Sequence, residues 1–96
     1  MNSVIDKDTG KVEGWFLRCQ NIFNNVYFDI EEKPKELPQN FRNNWFVKLR
    51  AEDFVTSNII YFDISQRYVI TNSNSKYYLG EPKNRSLWDV LNLRLN

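Results

Sequence analysis

The sequence predicts a mainly β, α+β fold: a small twisted antiparallel sheet, or a partly open barrel, of five to six strands with one C-terminal helix. Three observations carry this expectation. Runs rich in Val, Ile, Phe and Tyr recur at 12–22, 58–64 and 67–71, the composition that suits a pleated, half-buried surface. Polar turns bearing Asn, Ser and Gly separate them. Near the end of the chain Leu87, Trp88, Leu91 and Leu95 fall at helical spacing. At 96 residues the chain reads as a single domain, 1–96.

Val4 and Ile5 are followed by Asp6-Lys7-Asp8-Thr9-Gly10-Lys11, a turn in which Gly10 can take positive φ. In the next run Trp15, Leu17 and Cys19 share one face, and Phe16, Arg18 and Gln20 the other. Asn24-Asn25 then suggests a tight hairpin. That turn pairs Phe23 with Val26, Asn21 with Phe28 and Cys19 with Ile30. Leu17, Cys19, Phe23, Val26, Phe28 and Ile30 would share an apolar face.

Residues 31–39, with Pro34 and Pro38, read as a linker. The stretch 41–54 fits either period. As a strand, Trp45, Val47 and Leu49 alternate with Phe46, Lys48 and Arg50. As a helix, Phe41, Trp45 and Leu49 stack. Asn43-Asn44 is poor helix material, so a turn followed by a strand is preferred. A second hairpin about Ser73-Asn74 pairs Ile70 with Tyr77 and Tyr68 with Leu79, giving Tyr68, Ile70, Tyr77 and Leu79 a common face. Ser86 is the expected N-cap of the final helix. That helix either completes its own core or meets a second subunit through Trp88, Leu91 and Leu95. The first is preferred, because a small sheet needs a cover for one face.

Composition narrows function by exclusion. The net charge is +1, from 13 basic and 12 acidic residues, which argues against a strongly basic nucleic-acid binder or a polyanion mimic. Seven Phe, five Tyr and three Trp argue for a packed core. Histidine is absent, which removes the commonest general base and metal ligand. Cys19 is the single cysteine and has no histidine to activate it. Asp6-Lys7-Asp8-Thr9-Gly10 fails as a calcium loop, because its sixth position is Lys11 and its twelfth Leu17. The carboxylates at Asp29, Glu31, Glu32, Glu36, Glu52, Asp53 and Asp63 show no spacing that singles out a catalytic pair. Gly10, Gly14 and Gly80 are too scattered for a phosphate loop. No run approaches the length of a membrane helix, and the first ten residues lack signal-peptide character. A soluble cytoplasmic protein without cofactor or metal is expected.

The segments Thr56-Ser57-Asn58-Ile59, then Asp63, then 71–80 (TNSNSKYYLG) resemble a pattern in small uncharacterised bacterial and prophage β-rich proteins. That pattern runs T-S-x-I, a spacer, then T-x-S-G-S-x-Y-x-L-G. The resemblance covers about a quarter of the chain, with Asn74 standing where the pattern has Gly. It implies a hairpin and no particular activity. Asn is the next-best residue for a left-handed turn position.

Aromatic and basic residues interleave at Trp45, Phe46, Lys48 and Arg50 and again at Arg67, Lys76 and Tyr78. These seven form the candidate binding surface. The reading that follows is a non-enzymatic bacterial or phage accessory protein that binds another protein, such as an inhibitor or anti-defence factor. A single-stranded nucleic-acid-binding β-module is the alternative. A self-associating structural protein is the third reading. A monomer is expected, with a homodimer as the alternative.

Overall fold

The computed structural model describes residues 5–6, 10–30, 45–89 and 91. Among them eight strands form: β1 (Ile5–Asp6), β2 (Lys11–Val12), β3 (Phe16–Asn21), β4 (Tyr27–Ile30), β5 (Trp45–Ala51), β6 (Phe54–Asp63), β7 (Tyr68–Thr71) and β8 (Lys76–Leu79). They join in one sheet of order β1-β2-β8-β7-β6-β5-β3-β4. A short helix, α1, takes in residues 87–89 and 91. Among the described residues the chain is therefore mainly β with one short helix, and 45–51 is a strand rather than a helix. The expected five to six strands become eight, because β1 and β2 are too short to show as separate apolar runs. The expected linker at 31–39, the turn at 43–44, and Val90, Leu93 and Leu95 lie outside the described residues.

Nor is the sheet wholly antiparallel. From β3 through β5, β6, β7 and β8 each neighbour reverses direction, so the fifth strand of this meander runs the same way as the first. The chain leading into β3 meets β8, and their pairing must then be parallel: Lys11 lies opposite Tyr78, Val12 opposite Leu79 and Trp15 opposite Pro82. Backbone bonds fasten this seam, from Tyr78 N–H to the Gly10 carbonyl, Gly80 N–H to Val12, Gly14 N–H to Glu81 and Lys83 N–H to Trp15. β2 and β3 stand far apart in the strand order yet are joined by only three residues. The sheet is thus rolled. Gly14, with φ of 68°, makes the kink between them that a Cβ would strain.

Two bulges help β6 turn from β5 to β7. At the first, the Thr56 hydroxyl accepts the Leu49 N–H at 3.0 Å. This keeps a buried amide satisfied where the ladder breaks.

The core holds Val12, Trp15, Leu17, Cys19, Ile30, Val47, Leu49, Val69, Leu79, Leu87 and Leu91. The expected face of Trp15, Leu17 and Cys19 is buried. Phe23 and Val26 are not: they are exposed. Cys19 pairs with Phe28 and Leu17 with Ile30, a register two residues from the expected one. The loop holds four residues rather than two, closed by Asn21 N–H to the Val26 carbonyl. The Asn21 side chain accepts the N–H groups of Phe23 and Asn24, and Asn25 takes φ of 54°.

The second hairpin slips by one residue, so Tyr68 faces Tyr78 and Ile70 faces Lys76. Its loop is Asn72-Ser73-Asn74, with Thr71 N–H bonded to the Ser75 carbonyl and Asn74 at φ of 64°. A three-residue turn ending in a left-handed residue has this shape. A one-residue slip flips a strand. Val69 and Thr71 are therefore inside with Leu79, and the expected apolar face of Tyr68 and Ile70 points out. The hydroxyls of Ser57, Thr71, Ser73 and Ser75 meet here in a chain of 2.9–3.3 Å contacts.

Helix α1 is capped by Asn84 rather than Ser86: the Asn84 carboxamide oxygen accepts the Ser86 N–H at 2.9 Å. Leu87 and Leu91 are fully buried. Trp88 meets Trp15 edge-on at 5.0 Å between centroids. The helix thus completes the core of its own chain, and Leu91 is not available to a second subunit.

Two stability outcomes are expected in urea unfolding. Asn74→Gly leaves the midpoint unchanged or raised, whereas Asn74→Val costs about 1–2 kcal/mol through the left-handed penalty. Leu87→Ala costs about 2–5 kcal/mol, the usual range for emptying a buried leucine site.

Candidate functional site

The register of β4, β3 and β5 sets out the outer face of the sheet row by row. Tyr27, Gln20 and Phe46 form one row, Asp29, Arg18 and Lys48 the next, then Phe16 and Arg50. Phe46, Lys48 and Arg50 therefore lie together, as the β5 alternation predicts. Trp45 pairs with Asn21 in the same ladder; its side chain lies outside the described residues.

Large apolar side chains are exposed at one end of this face. Phe23 is 74% exposed, Tyr27 58% and Phe46 46%, with Ile22 and Val26 beside them in the hairpin. Sequence reasoning placed Phe23 and Val26 in the core. Asn21 carried the signal that was missed, since an Asn that captures the amides two and three residues on lengthens the loop and lifts Phe23 from the sheet.

Behind the apolar end lies a charged row. Asp29 accepts two bonds from Arg18, at 2.8 and 3.2 Å, and one from Arg50 at 3.2 Å. The Arg18 guanidinium lies over the Tyr27 ring at 4.8 Å and that of Arg50 over Phe16 at 5.5 Å. The hydrogen bonds from Arg18, then the charges of both arginines, hold the Asp29 carboxyl below its usual range. Lys48 is the cation of this face with no ion pair among the described residues.

The remaining candidates gather elsewhere. Tyr61, Tyr68 and Tyr78 form a row across β6, β7 and β8 with successive centroids 6.0 Å apart. The Lys76 ammonium sits 4.2 Å from the Tyr68 centroid and 5.0 Å from that of Tyr78. Lys76 thereby covers ring surface of Tyr68 and Tyr78, whereas Tyr61 is exposed. Arg67, at φ of 60°, lies over Trp88 at 4.6 Å. It lines an open pocket of about 450 Å³ with Lys11, Glu13, Gln66, Tyr78 and Glu81. The two cations and two carboxylates there cancel. The candidate residues are thus split between two areas, and both carry exposed apolar side chains: Tyr27, Phe46 and the hairpin tip, with the most exposed ring, Phe23, in the β3–β4–β5 area, and Ile60, Tyr61 and Tyr78 in the β6–β7–β8 area.

Burial pushes the Cys19 thiol up to about 12, so its thiolate is strongly disfavoured. Among the described residues no group of three or more His, Cys, Asp or Glu side chains could hold a metal ion. Among them also, no helix is long and apolar enough to cross a membrane. Comparison with protein-family models, with curated proteins and with solved structures finds no match.

The Asp29 pairing makes a signed prediction. A carboxylate whose folded-state pKa is lowered stabilises the fold fully above its unfolded value, about 3.9. That contribution is lost as pH falls through the lower folded value. The gap in urea stability between wild type and Asp29→Asn should be full near neutral pH and should close in acid below the ordinary aspartate range. A gap that stays constant into strong acid would show that the ion pairs contribute nothing.

Proposed function

We propose that this chain is a non-catalytic accessory protein that acts by occupying the surface of another protein. The contact face is the outer side of β3, β4 and β5. One observation carries the reading: Ile22, Phe23, Val26, Tyr27 and Phe46 are all exposed at one end of that face. Contiguous exposed apolar area of this kind marks interaction sites, and aromatic anchors rimmed by charge are what protein interfaces favour. The rim here is Arg18, Lys48, Arg50 and Asp29. An inhibitor or anti-defence factor is the kind of accessory protein meant.

The nucleic-acid reading has Lys48 and the exposed rings in its favour. It is weaker because Arg18 and Arg50 already hold Asp29, and because Lys76 lies over Tyr68 and Tyr78. Self-association through α1 is weaker still, with Leu91 buried in its own core.

Photo-crosslinking tests the proposal. With benzoylphenylalanine in place of Phe23 or Phe46, irradiation in source-cell lysate should give one protein adduct that survives nuclease treatment. The same probe at the exposed Glu52 should not give it. Phe23→Ser should weaken binding of the captured protein about tenfold or more, with an unchanged circular dichroism spectrum. Adducts that vanish with nuclease would transfer the function to nucleic-acid binding.

A further inference from the structure

We propose that the open pocket beside β8 is a binding site for the zwitterion of a free α-amino acid. The ligand's carboxylate lies toward Arg67 and Lys11, and its ammonium toward Glu13 and Glu81. This site is apart from the β3–β4–β5 face and does not depend on the protein-binding reading.

The pocket measures about 450 Å³, within the range of roughly 300–1,000 Å³ usual for small-molecule sites. Its floor runs from Tyr78 in β8 to Glu81 just beyond it. β8 stands between β2 and β7, so the walls rise on opposite sides. One wall carries Lys11 and Glu13, and the other is the turn that holds Gln66 and Arg67. Val12 is fully buried, and alternation about it turns Lys11 and Glu13 away from the core together.

The acidic side of the pocket is built on the backbone. The Glu13 carboxylate accepts the Glu81 N–H at 2.8 Å and lies against Gly80, in the space that a Cβ there would occupy. Gly80 is itself fixed, its N–H bonded to the Val12 carbonyl and its carbonyl to the Trp15 indole. A carboxylate has acceptor capacity beyond that one bond. The Glu81 carboxylate meets Arg85 at 3.9 Å with both side chains largely exposed, a weak contact that a ligand can replace.

The basic side carries a strained residue. Three described non-glycine residues take positive φ: Asn25, Asn74 and Arg67. Asn tolerates the left-handed region, whereas an arginine is disfavoured there, and strain of this kind clusters at ligand sites. The Leu79 N–H bonds to the Arg67 carbonyl at 2.7 Å and holds that backbone in place. The guanidinium lies 4.6 Å over the Trp88 ring. Stacking occupies a flat face and leaves the in-plane N–H groups for a planar anion. Among the described residues neither Arg67 nor Lys11 has an ion pair.

This arrangement of charge sets the ligand. A simple anion would meet Glu13 and Glu81 as well as the cations, and a simple cation the reverse. A molecule with both signs finds a partner at each end. The guanidinium fork matches a carboxylate, and an ammonium brings three donors to the two glutamates. Gln66 and Tyr78 add polar tips, which suit an amino acid with a small or polar side chain.

The test titrates the common L-amino acids into the isotope-labelled chain and follows its amide and indole NMR signals. At least one should shift the amides of Lys11, Arg67 and Gly80 and the Trp88 indole saturably, with a dissociation constant on the order of 1 mM or below. Its N-acetyl and carboxamide derivatives each lack one charge and should bind about tenfold more weakly or worse. This comparison is made on the wild type and needs no variant to fold. Arg67→Asn, which suits the left-handed backbone, should bind the acid and its carboxamide equally. Glu13→Gln, which keeps an acceptor for the Glu81 N–H, should bind the amino acid and its N-acetyl form equally. No saturable shift with any amino acid at about 10 mM would overturn the site. So would equal binding of the charged and capped forms on the wild type, or shifts reproduced by acetate alone.

Discussion

The parallel seam between the Gly10–Trp15 stretch and the Tyr78–Lys83 stretch is the contact on which the rest of the structure depends. It joins residues about as far apart in sequence as the described chain allows, and Trp15 is its centre. The Trp15 carbonyl accepts the Lys83 N–H at 2.8 Å, and its indole N–H donates to the Gly80 carbonyl at 2.9 Å. Its ring is fully buried and meets Trp88. One side chain therefore fixes the end of β8, the start of β3 and the seat of α1. The Glu13 carboxylate adds a bond to the Glu81 N–H at 2.8 Å. Without this seam β8 would present a bare edge and the inner face would lose its cover, in a sheet too small to bury a core by itself.

How far the sequence was legible depends on the turns. The sequence marks both hairpins and suggests a two-residue loop for each. The first loop holds four residues, so its register moves by two and every side chain keeps its face. That is why Leu17, Cys19 and Ile30 are where periodicity puts them. The second loop holds three residues, so its register moves by one and β7 turns over. Val69 and Thr71 go in, and Tyr68 and Ile70 go out. Turn length, not strand propensity, decided these faces. The left-handed residues Asn25 and Asn74 each close their loop, and an Asn cannot show in sequence whether it is the first or the last residue of a turn.

The seam could not be read from sequence. No local pattern marks Trp15 and Pro82 as neighbours, and a parallel pairing of this kind follows from the strand count of the whole meander. The candidate surface was half legible. Alternation along β5 placed Phe46, Lys48 and Arg50 on one face, because that strand is regular and its inner positions, Val47, Leu49 and Ala51, are strongly apolar. The grouping with Arg67, Lys76 and Tyr78 failed, because sequence proximity to basic residues does not say which end of a rolled sheet a strand occupies. The hydroxyl chain of Ser57, Thr71, Ser73 and Ser75 ties the first bulge of β6 to the turn that sets β7's register.

The two ends of the strand order manage their backbone groups differently. β8 has its outer edge closed by β2, and on the seam the N–H groups of Gly14, Tyr78, Gly80 and Lys83 find carbonyls while that of Glu81 finds the Glu13 carboxylate. β4 continues past the seam as an extension of β3, with Ile30 anchored in the core and Tyr27 outside it. Among the described residues β4 pairs with β3 alone, and that pairing holds Tyr27 and Asp29 on the outer face. The Asp29 network contributes to that state. By holding Arg18 and Arg50 across β3, it fixes the cations of the outer face. Side chains already held in place lose little freedom on contact, which is the expected arrangement if that face meets another protein.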